Sequence, residues 1–279
     1  MVKIKTILKD TEHISVAGRT DIDISAVTSD SREVTAGSLF VAVRGTHIDG
    51  HEFIAKAIEA GAVAVICEKL PSAVAEKITF IVVRDSSVAI GQAASSFYGN
   101  PSSRLRLTGV TGTNGKTTIA TLLYNMFEAL GYKCGLMSTV VNYVHLRTYP
   151  ATHTTPDPVH LNRMLAEMVE EGCEYAFMEV SSHSIDQNRI AGLSFSGGIF
   201  TNLTHDHLDY HLTFDNYLTA KKKFFDNLPH TAFALTNIDD RNGRVMLQNT
   251  KASKHFYSTR STAEFKAVII EQGFEGMLL

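Results

Sequence analysis

The chain has 279 residues, enough for one large domain or two ordinary ones. Its 44% hydrophobic and 20% charged residues match a soluble globular composition, and a net charge of −3 excludes the strong basic field that nucleic acid or an anionic membrane would call for. Cys67, Cys134 and Cys173 are widely spaced and odd in number, so reduced thiols in a cytoplasmic protein are expected rather than a disulfide framework.

The opening stretch, MVKIKTILKD, lacks the apolar core of a signal peptide. Runs such as AVAVI and ITFIVV are too short to cross a bilayer and read as buried strands. From Gly50, the spacing of Phe53, Ile54, Ala57 and Ile58 predicts a helix that Gly61 stops. Strands follow at 62–66 and 78–83, then a small-residue helix to about Tyr98. Tyr98 to Arg104, YGNPSSR, concentrates loop formers and reads as a domain linker.

Beyond it, residues 105–110 predict a strand, and VTGTNGKTT (110–118) follows. A phosphate loop is a glycine, four residues, then Gly-Lys-Ser/Thr. Counting back from Gly115, the first glycine should stand at 110, where the sequence has valine. The context is otherwise right, because a helix follows with Ile119, Leu122, Leu123, Met126 and Leu130 as its apolar stripe, closed by Gly131. Gly112 and Gly115 permit backbone conformations that a Cβ opposes, Lys116 is placed to reach β/γ-phosphates, and the Thr117 hydroxyl is placed to bind Mg²⁺. This is a variant phosphate loop.

Further strands are predicted at 175–180, 198–202 and 232–237, with a helix at 215–227 between the last two. Strands alternating with helices predict an α/β fold with a mostly parallel sheet. Two polar segments follow strands, where open sheets place ligands. MEVSSHSIDQNRI (178–190) offers Glu179 for a cation and Ser181, His183, Gln187 and Arg189 for a polar substrate; it also reads as an ordinary polar loop. TNLTHDHLDYH (201–211) brings His205, His207 and His211 together with Asp206 and Asp209. Zinc is one reading of that cluster, and magnesium, preferring oxygen ligands beside phosphates, is the favoured one. In YLTAKKKFFDNL (217–228), Lys221 shares a helical stripe with Tyr217, Ala220 and Phe224, so it turns towards apolar neighbours. Desolvation there lowers an amine's pKa. A solvated basic face is the plainer reading of the three lysines.

GVTGTNGKTT resembles the ATP loop of the Mur ligases and of folylpolyglutamate synthetase. TSDSREVTAGSLFVAVRGTHIDGHEFI (28–54), HTTPDP (153–158), EVSSHSIDQNRI, TNLTHDHLDYH and YLTAKKKFF, in that order, resemble the Mur ligases, in particular those that add the third residue of the peptidoglycan stem peptide. The resemblance implies a UDP-sugar-binding α/β domain over residues 1–103 and a P-loop-type central ATPase domain over 104–279. Ser31, Thr46, His47 and Asp49 are then expected at the uridine diphosphate, and Thr154, Thr155, Ser181, Gln187 and Arg189 at a muramoyl-dipeptide. ATP is expected on Gly112, Thr113, Asn114, Gly115, Lys116, Thr117 and Thr118, with Asn237 of TNIDD near adenosine. Mg²⁺ is expected on Thr117, Glu179 and His207, with Lys221 as a carbamate; Lys116, His207 and Lys221 are the expected catalytic groups.

The implied reaction is ATP-driven amide formation through an acyl phosphate, joining an amino acid (meso-diaminopimelate before L-lysine) to UDP-N-acetylmuramoyl-dipeptide. A cytoplasmic monomer, without nucleic-acid or membrane partners, is expected. The chain stops at EQGFEGMLL without the family's amino-acid-binding third domain, so the expectation is a fragment that binds its nucleotides without completing ligation. A folylpolyglutamate-synthetase-like ligase and a non-catalytic nucleotide-binding module are the rival readings. A small-molecule kinase would keep glycine at 110.

Overall fold

A computed structural model describes residues 1–45, 48–71, 77–151, 154–206, 208–273 and 276–278. By contacts the chain divides into two compact units, the first comprising Met1–Arg104, Pro156–Glu167 and Gln187–Leu193, and the second Leu105–Thr155, Met168–Asp186 and Ser194–Leu279.

The first unit is built on five strands: β1 (Ser15–Ala17), β2 (Ala26–Thr28), β3 (Ser38–Val41), β4 (Ala62–Cys67) and β5 (Thr79–Val82). Their order is β1-β5-β4-β3-β2, parallel except for β1. Three helices accompany them: α1 (Ile4–Asp10), α2 (Ile54–Glu59) and α3 (Ser86–Phe97). Alternation along β3 shows why both faces are covered. Leu39 and Val41 join Ile4, Ile7, Ala89, Ile90 and Ala93 in one core, whereas Phe40 joins Ile54 and Ala57 in the other. The helix predicted from Gly50 begins as a 3-10 turn, Gly50–Phe53, and continues as α2. The predicted linker ends in a second such turn, Pro101–Arg104, with Pro101 and Ser102 buried.

The second unit carries a nine-stranded sheet. Its strands are β6 (Arg106–Thr111), β7 (Cys134–Met137), β8 (Val141–Val144), β9 (Arg147–Pro150), β10 (Tyr175–Glu179), β11 (Gly197–Phe200), β12 (Phe233–Asn237), β13 (Ser253–Ser258) and β14 (Phe265–Lys266). The order is β9-β8-β7-β10-β6-β11-β12-β13-β14, antiparallel only where β8 meets β7 and β9. The carboxyl ends of β7, β10, β6, β11 and β12 therefore lie side by side; residues 112–118, Glu179, Ser181 and Asn237 lie at or just past them, whereas Thr154 and Thr155 follow β9. The helices used below are α4 (Lys116–Ala129), α5 (Pro158–Glu170), α6 (Ser182–Asp186) and α7 (Phe214–Asp226). No helix among the described residues is long and apolar enough to cross a membrane.

One expectation is corrected. The predicted apolar stripe of α4 is its buried face only in part: Ile119 and Leu123 pack on the sheet, but Leu122, Met126 and Leu130 are 60, 49 and 66% exposed. Ala120, Tyr124 and Phe127 complete the sheet-facing side beside them, packed on Val110, Leu136, Phe177 and Ile199. The phosphate loop fixes the rotation of the helix about its axis. Tyr124 then contributes a buried ring, stacked on Tyr143 with centroids 5.0 Å apart. The three cysteines are buried and free.

Candidate nucleotide and substrate site

Val110 is fully buried in β6, registered against Glu179 on one side and Ile199 on the other. It belongs to the sheet, and the loop begins after Thr111. Gly112 has φ +150°, and a Cβ there would run into Thr201 Oγ1. Gly115 caps α4 from the left-handed region, at φ +83°. Both positions are glycine for backbone reasons.

The residues just after β11 brace the loop. Thr113 N donates to Asn202 O at 2.8 Å and Asn114 N to Asn202 Oδ1 at 3.0 Å. Thr201 Oγ1 and Asn202 Nδ2 both donate to Asn114 O, at 2.7 and 3.1 Å. Asn237, at the end of β12, donates to Thr201 O at 3.1 Å, and its Oδ1 accepts from Asp239 N at 2.9 Å. Adjacent parallel strands thus deliver Gly112, Thr201 and Asn237 to one place.

Two amines converge on a single carbonyl. Lys116 Nζ donates to Gly112 O at 3.1 Å and to Thr113 O at 2.8 Å. Lys221 Nζ, on α7, donates to the same Gly112 O at 2.8 Å. Lys221 is 1% exposed and lies 4.7 Å from the centre of the Tyr217 ring, so the apolar facing read from its spacing is observed. Burial pushes the Lys116 ammonium below its ordinary range, opposed by Glu179 and Asp206. Burial, and then the neighbouring Lys116, push Lys221 well below its range, with Asp206 opposing. Tyr217 Oη meets Thr113 Oγ1 at 3.1 Å, joining α7 to the loop.

Glu179 ends β10 and is 1% exposed. Its Oε1 accepts from Thr139 N at 2.7 Å and its Oε2 from Thr139 Oγ1 at 3.2 Å. Thr139 Oγ1 also lies 3.2 Å from Thr154 Oγ1, and Thr155 Oγ1 donates to Glu179 O at 2.9 Å. Thr154, Thr155 and Glu179 are therefore brought together. Ser181 Oγ accepts from Ser184 N at 3.0 Å at the head of α6. Thr117 is half-buried in the first turn of α4, and Thr118 is exposed. His207 lies outside the described residues. Among those described, no group of three or more His, Cys, Asp or Glu is arranged to hold a metal ion.

The remaining candidates belong to the first unit. Ser31 is half-buried in the turn after β2. Asp49 accepts from His51 and pairs with Arg44 Nε at 3.4 Å. Gln187 Oε1 accepts from Arg189 Nε and Nη2 at 2.9 and 2.6 Å. Thr46 and His47 lie outside the described residues. Sequence reasoning passed over Thr139 and Asn202, although each lies two residues past a strand at the same carboxyl edge of the sheet.

A glycine-built phosphate loop on the carboxyl edge of a mostly parallel sheet defines a nucleotide-binding α/β protein. The Mur ligase middle domain matches residues 110–279, and the Mur ligase family catalytic domain matches residues 23–98. The chain belongs to the Mur ligase family. A UDP-N-acetylmuramoyl-L-alanyl-D-glutamate–2,6-diaminopimelate ligase of Bacteroides fragilis is 59% identical over 278 residues, covering 100% of this chain and 57% of that protein. A solved structure of a ligase of the same name superposes with a TM-score of 0.82 at 26% identity, over 99% of this chain and 58% of the other. The folylpolyglutamate synthase of Mycobacterium tuberculosis matches with a TM-score of 0.53 at 14% identity, over 67% of this chain and 50% of that one, a likeness of fold alone. The chain spans a little more than half the length of the curated relatives it matches.

Proposed function

We propose that this chain supplies the nucleotide-sugar and ATP-binding parts of a ligase that joins meso-diaminopimelate to UDP-N-acetylmuramoyl-L-alanyl-D-glutamate. The convergence of Lys116 and Lys221 on the Gly112 carbonyl carries the reading, because it places two amines where a glycine loop would admit phosphates, Lys116 to meet them and Lys221 to take up the carbamate. The substrate pair is supported by the names of relatives that are 55–60% identical over nearly the whole chain. Residues 1–103 take the UDP-sugar and 104–279 take ATP. Ser31, Thr46, His47 and Asp49 hold the uridine diphosphate. Thr154, Thr155, Ser181, Gln187 and Arg189 hold the muramoyl-dipeptide, and residues 112–118 with Asn237 hold ATP.

The donor set fits magnesium, since the Thr117 hydroxyl and the Glu179 carboxylate are hard oxygen ligands. Thr117, Glu179, His207 and a carbamylated Lys221 would hold it. Magnesium held there would neutralise charge on phosphate oxygens. Lys116 offsets charge on the phosphoryl group as it transfers, Gly112 leaves room for backbone approach, and Thr139 fixes the Glu179 carboxylate. The substrate's terminal carboxylate attacks the γ-phosphorus of ATP, releasing ADP and forming an acyl phosphate. The incoming amine then attacks the acyl carbon, and phosphate leaves.

The test uses the chain extended to the length of its relatives, offered UDP-N-acetylmuramoyl-dipeptide with meso-diaminopimelate or lysine. ADP release that depends on diaminopimelate is expected. No ATP consumption with either amino acid would sink the reading. Protection of the chain from heat by a folate rather than by UDP would favour the folylpolyglutamate-type ligase.

A further inference from the structure

The first unit carries a closed circuit of polar side chains, of which the proposed chemistry uses only Asp49. Past β3 the chain turns back on itself, with Arg44 and Asp49 paired as an isolated antiparallel bridge and Gly45 N donating to Ile48 O at 3.0 Å. Arg44 Nε approaches Asp49 Oδ2 at 3.4 Å and closes the neck of this loop. Asp49 Oδ1 accepts from His51 N at 3.0 Å and faces His51 Nδ1 at 2.6 Å. The other ring nitrogen, Nε2, accepts from Glu68 N at 2.9 Å, one residue beyond β4. Glu68 Oε1 accepts from Ser86 N and Ser86 Oγ at 3.1 and 2.8 Å, at the head of α3. Ser86 Oγ accepts in turn from Arg44 N at 3.2 Å, which completes the circuit.

The chemistry of the partners fixes the state of the ring. A backbone N–H can only donate, so Nε2 must be bare. The ring proton therefore sits on Nδ1 and is given to Asp49. The hydrogen bonds from the His51 backbone and ring hold the Asp49 carboxyl below its usual range, with Arg44 adding to the effect. Both Asp49 oxygens thus help to shape the loop.

We propose that His51 is a positioning residue: through its Nδ1–H tautomer it splints the loop of Arg44, Gly45, Ile48 and Asp49 to the ends of β4 and α3, and thereby sets that loop's affinity for a uridine diphosphate. The proposal rests on reading the loop as the nucleotide-sugar site. His51→Phe keeps the ring volume and removes both hydrogen bonds. His51→Gln keeps an acceptor at comparable reach towards Glu68.

UDP binding by titration calorimetry is expected to weaken about tenfold in H51F and to recover most of the loss in H51Q, with ADP binding unchanged in both. Faster exchange of the Glu68 amide in H51F is expected alongside. Nitrogen-15 shifts of the imidazole in the unaltered chain give a reading that does not depend on a variant folding, and a proton on Nε2 would overturn the proposal. Equal UDP binding by H51F and the unaltered chain would overturn it too, leaving the site reading intact. An unaltered chain that ignores UDP would overturn the site reading and, with it, the proposal.

Discussion

The two loops proposed to bind ligands are built on opposite electrostatic plans. The loop of the first unit neutralises itself: Arg44 pairs with Asp49, Asp49 with His51, and Glu68 is taken up by Ser86. The phosphate loop of the second unit is braced by uncharged groups, Thr201 and Asn202, and its two amines rest on carbonyl oxygens. The self-paired neck, Arg44 with Asp49, balances its charge without a ligand. Burial lowers the proton affinity of the two amines against the opposing pull of nearby carboxylates, and an arriving anion would raise it.

Five measurements test this contrast, starting with the largest effect. Gly112→Ala forces a Cβ against Thr201 Oγ1 at φ +150°, so a loss of roughly 2–4 kcal/mol in chemical denaturation and abolition of ATP binding are expected. Native-like ATP binding by G112A would show that the loop tolerates a side chain. Lys221→Met removes a buried amine, so stability is expected to hold or rise by up to about 1 kcal/mol while the extended chain loses ligase activity. Marked destabilisation would mean that Lys221 serves packing instead. The exposed neighbour Lys223, mutated to Met, is the control and should change neither quantity.

Thr139→Val deletes the hydroxyl bonded to Glu179 and is expected to cost about 1–2 kcal/mol, with weaker magnesium-dependent ATP binding. Unchanged magnesium dependence would separate Glu179 from the metal. Leu122→Gln lies on the exposed face of α4 and should stay within about 0.5 kcal/mol, whereas Leu123→Ala on the sheet face should cost about 2 kcal/mol or more. Equal costs would restore the stripe read from periodicity. The smallest effect concerns the thiols. Burial pushes Cys67 and Cys173 up to about 11 and Cys134 to about 12, so at pH 8 iodoacetamide should leave all three unmodified until the chain unfolds. Modification of the native chain would show that these cores open.

What could be read from the sequence was local. Gly112, Gly115 and Lys116 identify a loop because five consecutive residues supply the chemistry. Lys221 reveals its facing because Tyr217, Ala220 and Phe224 lie within one helical stripe. Thr139 and Asn202 could not be found this way. They meet Glu179 and Asn114 only because the strand order runs β7-β10-β6-β11, out of sequence order. The α4 stripe misled for a related reason. Ala120 and Tyr124 carry little weight in an apolar count, yet the loop rotates them inwards. Parts of the first unit are contributed by residues far along the chain, which no linear division into 1–103 and 104–279 expresses.

Asn188 Nδ2 donates to Ser87 Oγ at 2.9 Å, and the backbone of Ala191 lies so close to Gly91 that no Cβ could stand between them. This face of α3 therefore stays bare on the ribosome until residue 193 has emerged, by which time β6, α4 and β10 have been made. The amino-terminal unit is the first to be synthesised but cannot be the first to finish folding, and a nascent chain arrested near residue 104 would present an unfinished surface to chaperones and proteases.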